Sequence, residues 1–473
     1  MGTILLAAIS LTGCGGEDGG RGNDKNGAPA PSHQDKPLAE LDVPAAYDAG
    51  KGWDETLTWL PEAVETLPVT AAPRTGGIAL LHAAPDGYTV KVRAADTGRV
   101  RWTSAPWDPP TPLEDAAGDP ARGDATEIPD VIAVEQDGRE YIVAYGHGLR
   151  GKDELHEGTE VVGLAVYAAD ATGTAVKPLR QIEVPVTANP GEVHLSTAGG
   201  RLLVGWDEDG PYPLLSAAVD LATGKTVTYD DTDALLPQCA EAEMCSRSRV
   251  MAATAQGPLV GMGDGGFGMP GRWFSDTVRP DGVPARLGIY KQWNGTVYGA
   301  NDGLLLAHWE AVDERGSDTD PVWSVHDVRT GALKATSTCG YDPKDDRGWH
   351  DSGAEREHSV VTSLDGRYLA AGPVAFDLRK EKGICLAGDG DRKSVALVSI
   401  HDDGTAYGSV EKNTSTEGTP PVIAQVDLTA GLDSAKVLGT GTDVPFATGL
   451  RGAGLFLHRG DDLSLRVSLR RER

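Results

Sequence analysis

Tryptophans, histidines and carboxylates are the side chains from which this sequence could build a binding or catalytic face. Ten of them fall in or beside long segments between glycine-marked turns: Trp107, His147, His156, Trp206, Asp207, Trp273, Trp309, Trp349, His350 and Asp351. A tryptophan beside a carboxylate can stack on a sugar ring or anchor a peptide, since the ring gives apolar area and the acid gives acceptors. These ten form the candidate binding face. Glycoside hydrolysis would need two carboxyl groups at a fixed separation. With 70 Asp and Glu in the chain, no such pair stands out, and no catalytic residue is assigned.

Other motifs are weaker. Residues 261–266 (GMGDGG) have GxGxxG spacing, but Pro270 and further glycines follow where a helix N-terminus should meet a pyrophosphate. Ser409 and Lys412 have SxxK spacing at the end of a strand-like run, and Arg122-Gly123-Asp124 reads as a chance tripeptide. Asp207-Glu208-Asp209-Gly210 and Asp318-Thr319-Asp320 offer the hard oxygens that Ca²⁺ takes, without a full EF-hand loop. They read as solvated acidic turns, with Ca²⁺ as the one cation they could meet. GxSxG, HExxH and Walker A patterns are missing, and no metal ligand set is assigned.

The charge narrows the partners. Lys and Arg number 43 against 70 Asp and Glu, a net charge of −27. That disfavours nucleic acid, which needs a cationic footprint. It also disfavours anionic wall polymers unless cations bridge them.

Residues 4–11 (ILLAAISL) form an apolar run too short to span a bilayer and suited to a signal-peptide core. The run leads into Leu11-Thr12-Gly13-Cys14, which resembles a bacterial lipobox, with cleavage before Cys14 and lipid on its thiol. No Lys or Arg precedes the run, so translation is expected to begin upstream of Met1. The glycine-rich, polar stretch 15–37 should be a flexible tether. The expected division is a signal and lipobox over 1–14, a tether over 15–37 and a folded domain over 38–473. The expected location is the cell membrane, facing outside the cytoplasm. Four further cysteines, Cys239, Cys245, Cys339 and Cys385, suit two disulfides in an exported chain. Three connectivities are open. The short loop Cys239–Cys245 is favoured, leaving Cys339–Cys385, and no CxxC or histidine spacing supports zinc.

A repeat must position these residues. Asp followed by a Thr-Gly-like turn recurs at Asp96, Asp220 and Asp327, with weaker copies at Asp170, at Asp377 before Gly383 and at Asp427 before Gly431, and three of the intervals are 50 residues. Asp220 to Asp327 fits two units, with a degenerate copy over 276–282. Short apolar runs separated by glycine turns read as strands, and a period near 50 residues points to propeller blades. The runs after Asp137-Gly138, Gly199-Gly200, Asn294-Gly295, Asp365-Gly366 and Asp403-Gly404 read as second strands. The expected fold is all-β, an eight-bladed β-propeller of four-stranded antiparallel blades, with seven blades as the alternative. Residues 38–60 are expected to close the last blade. The long segments 104–128, 146–159, 231–247, 261–272, 310–321 and 337–357 should share one face.

Thr97-Gly98-Arg99-Val100-Arg101-Trp102 is similar to the end of the AxDxxTGxxxW tryptophan-docking repeat of quinoprotein-like propellers, and Asp220 and Asp327 keep its DxxTG spacing. Ala94 stands in the motif's Asp place in the first unit. The resemblance spans about residues 60–470 and implies a propeller of the superfamily that holds pyrroloquinoline quinone (PQQ) dehydrogenases and non-catalytic lipoprotein scaffolds. Those dehydrogenases stack PQQ on a disulfide of adjacent cysteines, and this chain has no Cys-Cys dipeptide. No PQQ is therefore expected. The resulting expectation is a monomeric, membrane-tethered binding module for a protein or cell-envelope glycan. The alternative is an extracytoplasmic hydrolase or degenerate quinoprotein relative with its site at the elaborated mouth.

Overall fold

The Asp-to-Gly turns are the local units on which the fold is built. In Asp220 the side chain accepts the Thr223 amide at 2.9 Å while the Gly224 amide donates to the Asp220 carbonyl at 2.7 Å. Asp327 repeats this with Thr330 at 3.0 Å and Gly331 at 2.8 Å. The glycines have φ of 78° and 71°, a left-handed conformation that carries no steric cost without a Cβ. At the first copy, Gly98 donates to the Ala94 carbonyl at 2.8 Å, so the backbone turn survives where the Asp side chain is missing.

The computed structural model describes residues 38–64, 66–118, 125–188, 193–207, 214–241, 248–263, 265–288, 291–312, 318–341, 360–388, 391–410, 422–439, 441–460 and 462–473. Cys14, the tether and Arg122-Gly123-Asp124 lie outside them. These residues form successive antiparallel meanders. The first is Val69–Ala72, Gly77–Ala84, Gly87–Ala94 and Val100–Ser104. The second is Asp130–Gln136, Arg139–Arg150, Thr159–Ala168 and Arg180–Pro185. The third is His194–Ser196, Leu202–Trp206, Leu215–Val219 and Thr226–Tyr229. Middle strands such as Leu202–Trp206 are buried on both faces, which is why they read as unbroken apolar runs. Outer strands such as Thr226–Tyr229 are mostly exposed and polar.

Each meander buries its faces against its neighbours. Leu81, Val92 and Trp102 of the first pack with Val131, Ile142 and Tyr167 of the second. Val143, Val162 and Leu164 of the second pack with Leu202, Val204 and Trp206 of the third. Trp102 also donates its indole N–H across the first of these interfaces to the Ala169 carbonyl at 3.3 Å. At the other end of the chain, Leu455 and Val467 pack with Val69, Ile78 and Leu80, so the last meander meets the first. The N-terminal strand Tyr47–Leu57 lies outermost on that last sheet, paired from Tyr47↔Glu472 to Leu57↔Leu465. Meanders packed face to face in sequence order, with the last on the first, make a β-propeller.

Three expectations need correction. The run Thr296–Asn301 is the innermost strand of its sheet, and its hairpin to Leu304–Val312 turns at residues 302–303. Asn294 is buried instead, its amide donating to the Pro284 and Glu310 carbonyls, so it pins a connection. The degenerate copy at 276–282 is no strand turn, since Ser275–Val278 is a short helix after a two-residue outer strand. Asp318 to Asp320 begin a strand rather than an acidic turn.

The outer strands Leu333–Thr338 and Lys382–Cys385 touch in parallel at Thr336↔Lys382 and join two meanders edge to edge. The Cys339–Cys385 disulfide closes this seam across a sequence separation of 46. Cys239 is also disulfide-bonded, and Cys245 lies outside the described residues. Loop closure of this length stabilises by roughly 2–4 kcal/mol. Replacing Cys339 and Cys385 with serine should therefore lower the urea midpoint, with an m value that rises as the unfolded chain loses its crosslink. An unchanged midpoint would show that strand pairing alone holds the seam. Among the described residues no helix is long and apolar enough to cross a membrane.

Candidate functional site

Arg139–Arg150 is longer than the inner strand beside it, which ends its pairing at Asp130↔Tyr145. Residues 146–150 therefore run on past the inner strand, paired on one side with Thr159–Ala168. The connector between the first two sheets folds over this extension: Thr111 and Leu149 exchange backbone hydrogen bonds of 2.9 and 2.7 Å. Gly148 permits the approach, because a Cβ there would lie 2.2 Å from the Thr111 carbonyl oxygen.

His147 sits on this extension with its side chain 2 % exposed. Its Nδ1 lies 3.0 Å from Glu127 Oε1 and its Nε2 lies 2.9 Å from Glu160 Oε1. Glu127 comes from the connector, and Glu160 from the paired strand. Glu160 Oε1 also accepts the Ala188 amide at 2.7 Å, which ties in the next connector. Burial opposes a charge on His147, but the two carboxylates outweigh it and raise its pKa. Both ring nitrogens then donate, and the imidazolium is held between two acids.

Beside this cluster is a cavity of about 150 Å³, lined by Thr66, Glu127, Ile128, Tyr145, Gly146, His147, Val193, His194 and Leu195. Its walls come from the starts of the inner strands of the first three sheets and the end of one second strand. That is the end at which the sheet-to-sheet connectors lie. Tyr145 donates its hydroxyl to the buried Asp130 at 3.2 Å. Among the described residues, no group of three or more His, Cys, Asp or Glu is arranged to hold a metal ion.

Of the ten candidate residues, His147 alone lines this cavity. Trp107, Trp206 and Trp309 are at most 4 % exposed and pack in the cores between sheets, so they form no open stacking face. Trp273 is half-buried, edge-on to Phe267 at 6.0 Å. His156 is exposed and bonds Asp153 at 2.8 Å within its own loop, away from the cavity-lining residues. Asp207 is half-buried beyond Trp206. Trp349, His350 and Asp351 lie outside the described residues, as does Lys412. The GxGxxG segment leads into the strand Phe267–Met269 and offers no helix N-terminus to a phosphate. Glu127, Glu160, Tyr145 and Asp130 are the site residues that sequence reasoning missed.

No family model and no curated protein matches the chain. Solved structures similar to it include the Dos1 propeller, at 10 % identity and a TM-score of 0.30, covering 91 % of this chain and 81 % of that one. Porphyromonas gingivalis dipeptidyl peptidase 4 matches at 10 % identity and 0.39, covering 87 % of this chain and 58 % of that one. The polysaccharide lyase Uly1 matches at 9 % identity and 0.36, covering 87 % and 90 %. These names span a propeller, a peptidase and a lyase, and they give this chain no activity.

Proposed function

We propose that this chain is a non-enzymatic, monomeric binding module. In this reading it is an eight-bladed propeller, tethered outside the cytoplasm by lipid on Cys14, that receives a protein or glycan partner at the connector-bearing end. The observation that carries it is the cavity beside His147. The imidazole spends both nitrogens on carboxylates, so it has no free nitrogen with which to take a proton from a substrate. No serine or cysteine lines the cavity to act as a nucleophile. What is left is a recess walled by Ile128, Val193 and Leu195 on its apolar side and by Thr66, Glu127, Tyr145, His147 and His194 on its polar side, which suits recognition.

The blade count draws support from the buried core clusters, which fall between successive meanders around the ring. We also read the module as working without PQQ. Cys339 and Cys385 bridge outer strands, which gives the quinone no vicinal disulfide to stack on. The tether rests on the Leu11-Thr12-Gly13-Cys14 segment. Expressed from its native start, Cys14→Ser should stay uncut or leave the membrane fraction. Unchanged processing and retention would remove the lipid anchor from the reading.

The binding reading is tested by plugging the cavity. Thr66→Trp should abolish capture of the partner from envelope extract while leaving thermal unfolding unchanged. If capture persists in a folded Thr66→Trp protein, the partner binds elsewhere.

A further inference from the structure

We propose that His147 is a proton-operated latch: its imidazolium pins the connector segment 125–129 to the second meander, and loss of one proton releases that segment beside the cavity. Nδ1 lies 3.0 Å from Glu127 Oε1 and 3.3 Å from Oε2, and Nε2 lies 2.9 Å from Glu160 Oε1. A carboxylate only accepts, so the two contacts together need an N–H on each ring nitrogen. A neutral imidazole carries one. One contact then changes from a charge-assisted bond into two facing lone pairs, around a ring that is 2 % exposed and little reached by water.

The two contacts differ in what else holds them. Glu160 lies on the strand Thr159–Ala168, and its Oε1 also accepts the Ala188 amide at 2.7 Å. Glu127 lies on the connector, whose amides bond other connectors rather than a sheet. Thr126 donates to the Ala63 carbonyl at 3.0 Å and Glu127 to the Ala116 carbonyl at 2.9 Å. Such a segment opens at lower cost than a paired strand. The Glu127 contact is therefore the one that gives way.

Titratable groups face the imidazole from each element packed on it. The connector supplies Glu127 and the paired strand Glu160. Its own strand supplies Tyr145, whose hydroxyl is on Asp130, and the third meander supplies His194 across the cavity. Arg150 lies on the opposite sheet face and pairs with Glu183 at 2.9 Å. Glu127, Asp130, Tyr145 and His194 have further partners besides. The latch does not need them free, because it depends on how many protons His147 carries. Burial opposes that charge, but Glu127 and Glu160 raise the pKa above its ordinary value. The contact is thus complete below about pH 6.5 and is lost as pH rises through the raised folded value.

Hydrogen exchange of the full chain is followed by mass spectrometry from pH 6 to pH 10 and corrected for the intrinsic pH dependence of amide exchange. Peptides carrying Thr126 and Glu127 should lose protection about tenfold or more as pH rises, the scale of one charge-assisted hydrogen bond. Peptides from residues 140–144, inside the sheet, should keep theirs. His147→Gln has no titrating ring and should make protection of the connector independent of pH. Glu127→Gln should do the same with the imidazole intact, because an amide can donate to the bare nitrogen or accept from its N–H. Protection that stays flat in the unaltered chain, or a fall that persists in either folded variant, would overturn the latch. Both results leave the binding reading standing, since partner capture by Thr66→Trp tests that separately.

Discussion

Trp309→Ala should lower the free energy of unfolding by about 3–5 kcal/mol, the cost of removing a fully buried large aromatic ring. Trp309 is 0 % exposed and packs among Phe267, Leu305 and Val297 between two sheets. Its indole N–H donates to Ser324 Oγ at 2.6 Å, Ser324 donates to His326 Nε2 at 2.7 Å, and His326 Nδ1 donates to the Gly331 carbonyl at 3.1 Å. Burial pushes the His326 imidazole down to about 4, so it stays neutral and can both accept and donate. Loss of the ring opens a cavity and breaks the start of this chain. Trp309→Phe keeps most of the volume and should cost about 1–3 kcal/mol, the range for unpairing a buried polar group. Denaturant midpoints of the two variants check this order. A cost below about 1 kcal/mol for the alanine variant would mean the ring is not core, and would restore it to an exposed binding face.

The Asp-Thr-Gly turns were legible because their chemistry is local. Asp220 and Gly224 meet within one hairpin, and the residue types alone specify that geometry. The period followed from the turns. The fate of the tryptophans was not legible, since a ring beside a polar segment looks the same whether it faces solvent or a neighbouring sheet. Trp107 and Trp206 are buried by residues from other meanders, which no local pattern encodes. His147 could be singled out, but its partners could not. Glu160 sits two residues before Val162, the cross-strand partner of His147, and so lies on the same sheet face. That register is set across residues 151–158, a loop whose length follows no tight-turn rule. Glu127 arrives from a connector, held there by backbone bonds such as its amide to Ala116 at 2.9 Å.

Ring closure should depend on one acid, Glu55. It lies on the N-terminal strand Tyr47–Leu57, with its side chain 9 % exposed. Lys91 Nζ approaches Glu55 Oε1 at 2.6 Å, His82 Nε2 at 3.2 Å, and Arg93 pairs with Oε2. All three partners belong to the first meander, so this cluster ties the last sheet's outer strand to the first sheet. Burial opposes the Glu55 charge, but His82, Lys91 and Arg93 outweigh it and hold the carboxyl well below its usual range. Glu55→Gln leaves two or three cationic groups around a neutral amide and should cost about 3 kcal/mol at pH 7. This is the low end for breaking a buried pair, because Lys91 and Arg93 keep some solvent. The sign of the pH dependence follows from a depressed folded-state pKa. The stabilisation is complete above the unfolded carboxyl value of about 4.3 and is lost as pH falls toward the folded value. The gap between the unaltered chain and Glu55→Gln should therefore be widest at pH 6–8 and shrink steadily below about pH 4. Urea unfolding followed at pH 7, 4 and 3 measures that gap. A gap that stays constant across this range would show that the Glu55 charge does not hold the closing strand, and that its β pairing with Leu465–Glu472 is sufficient.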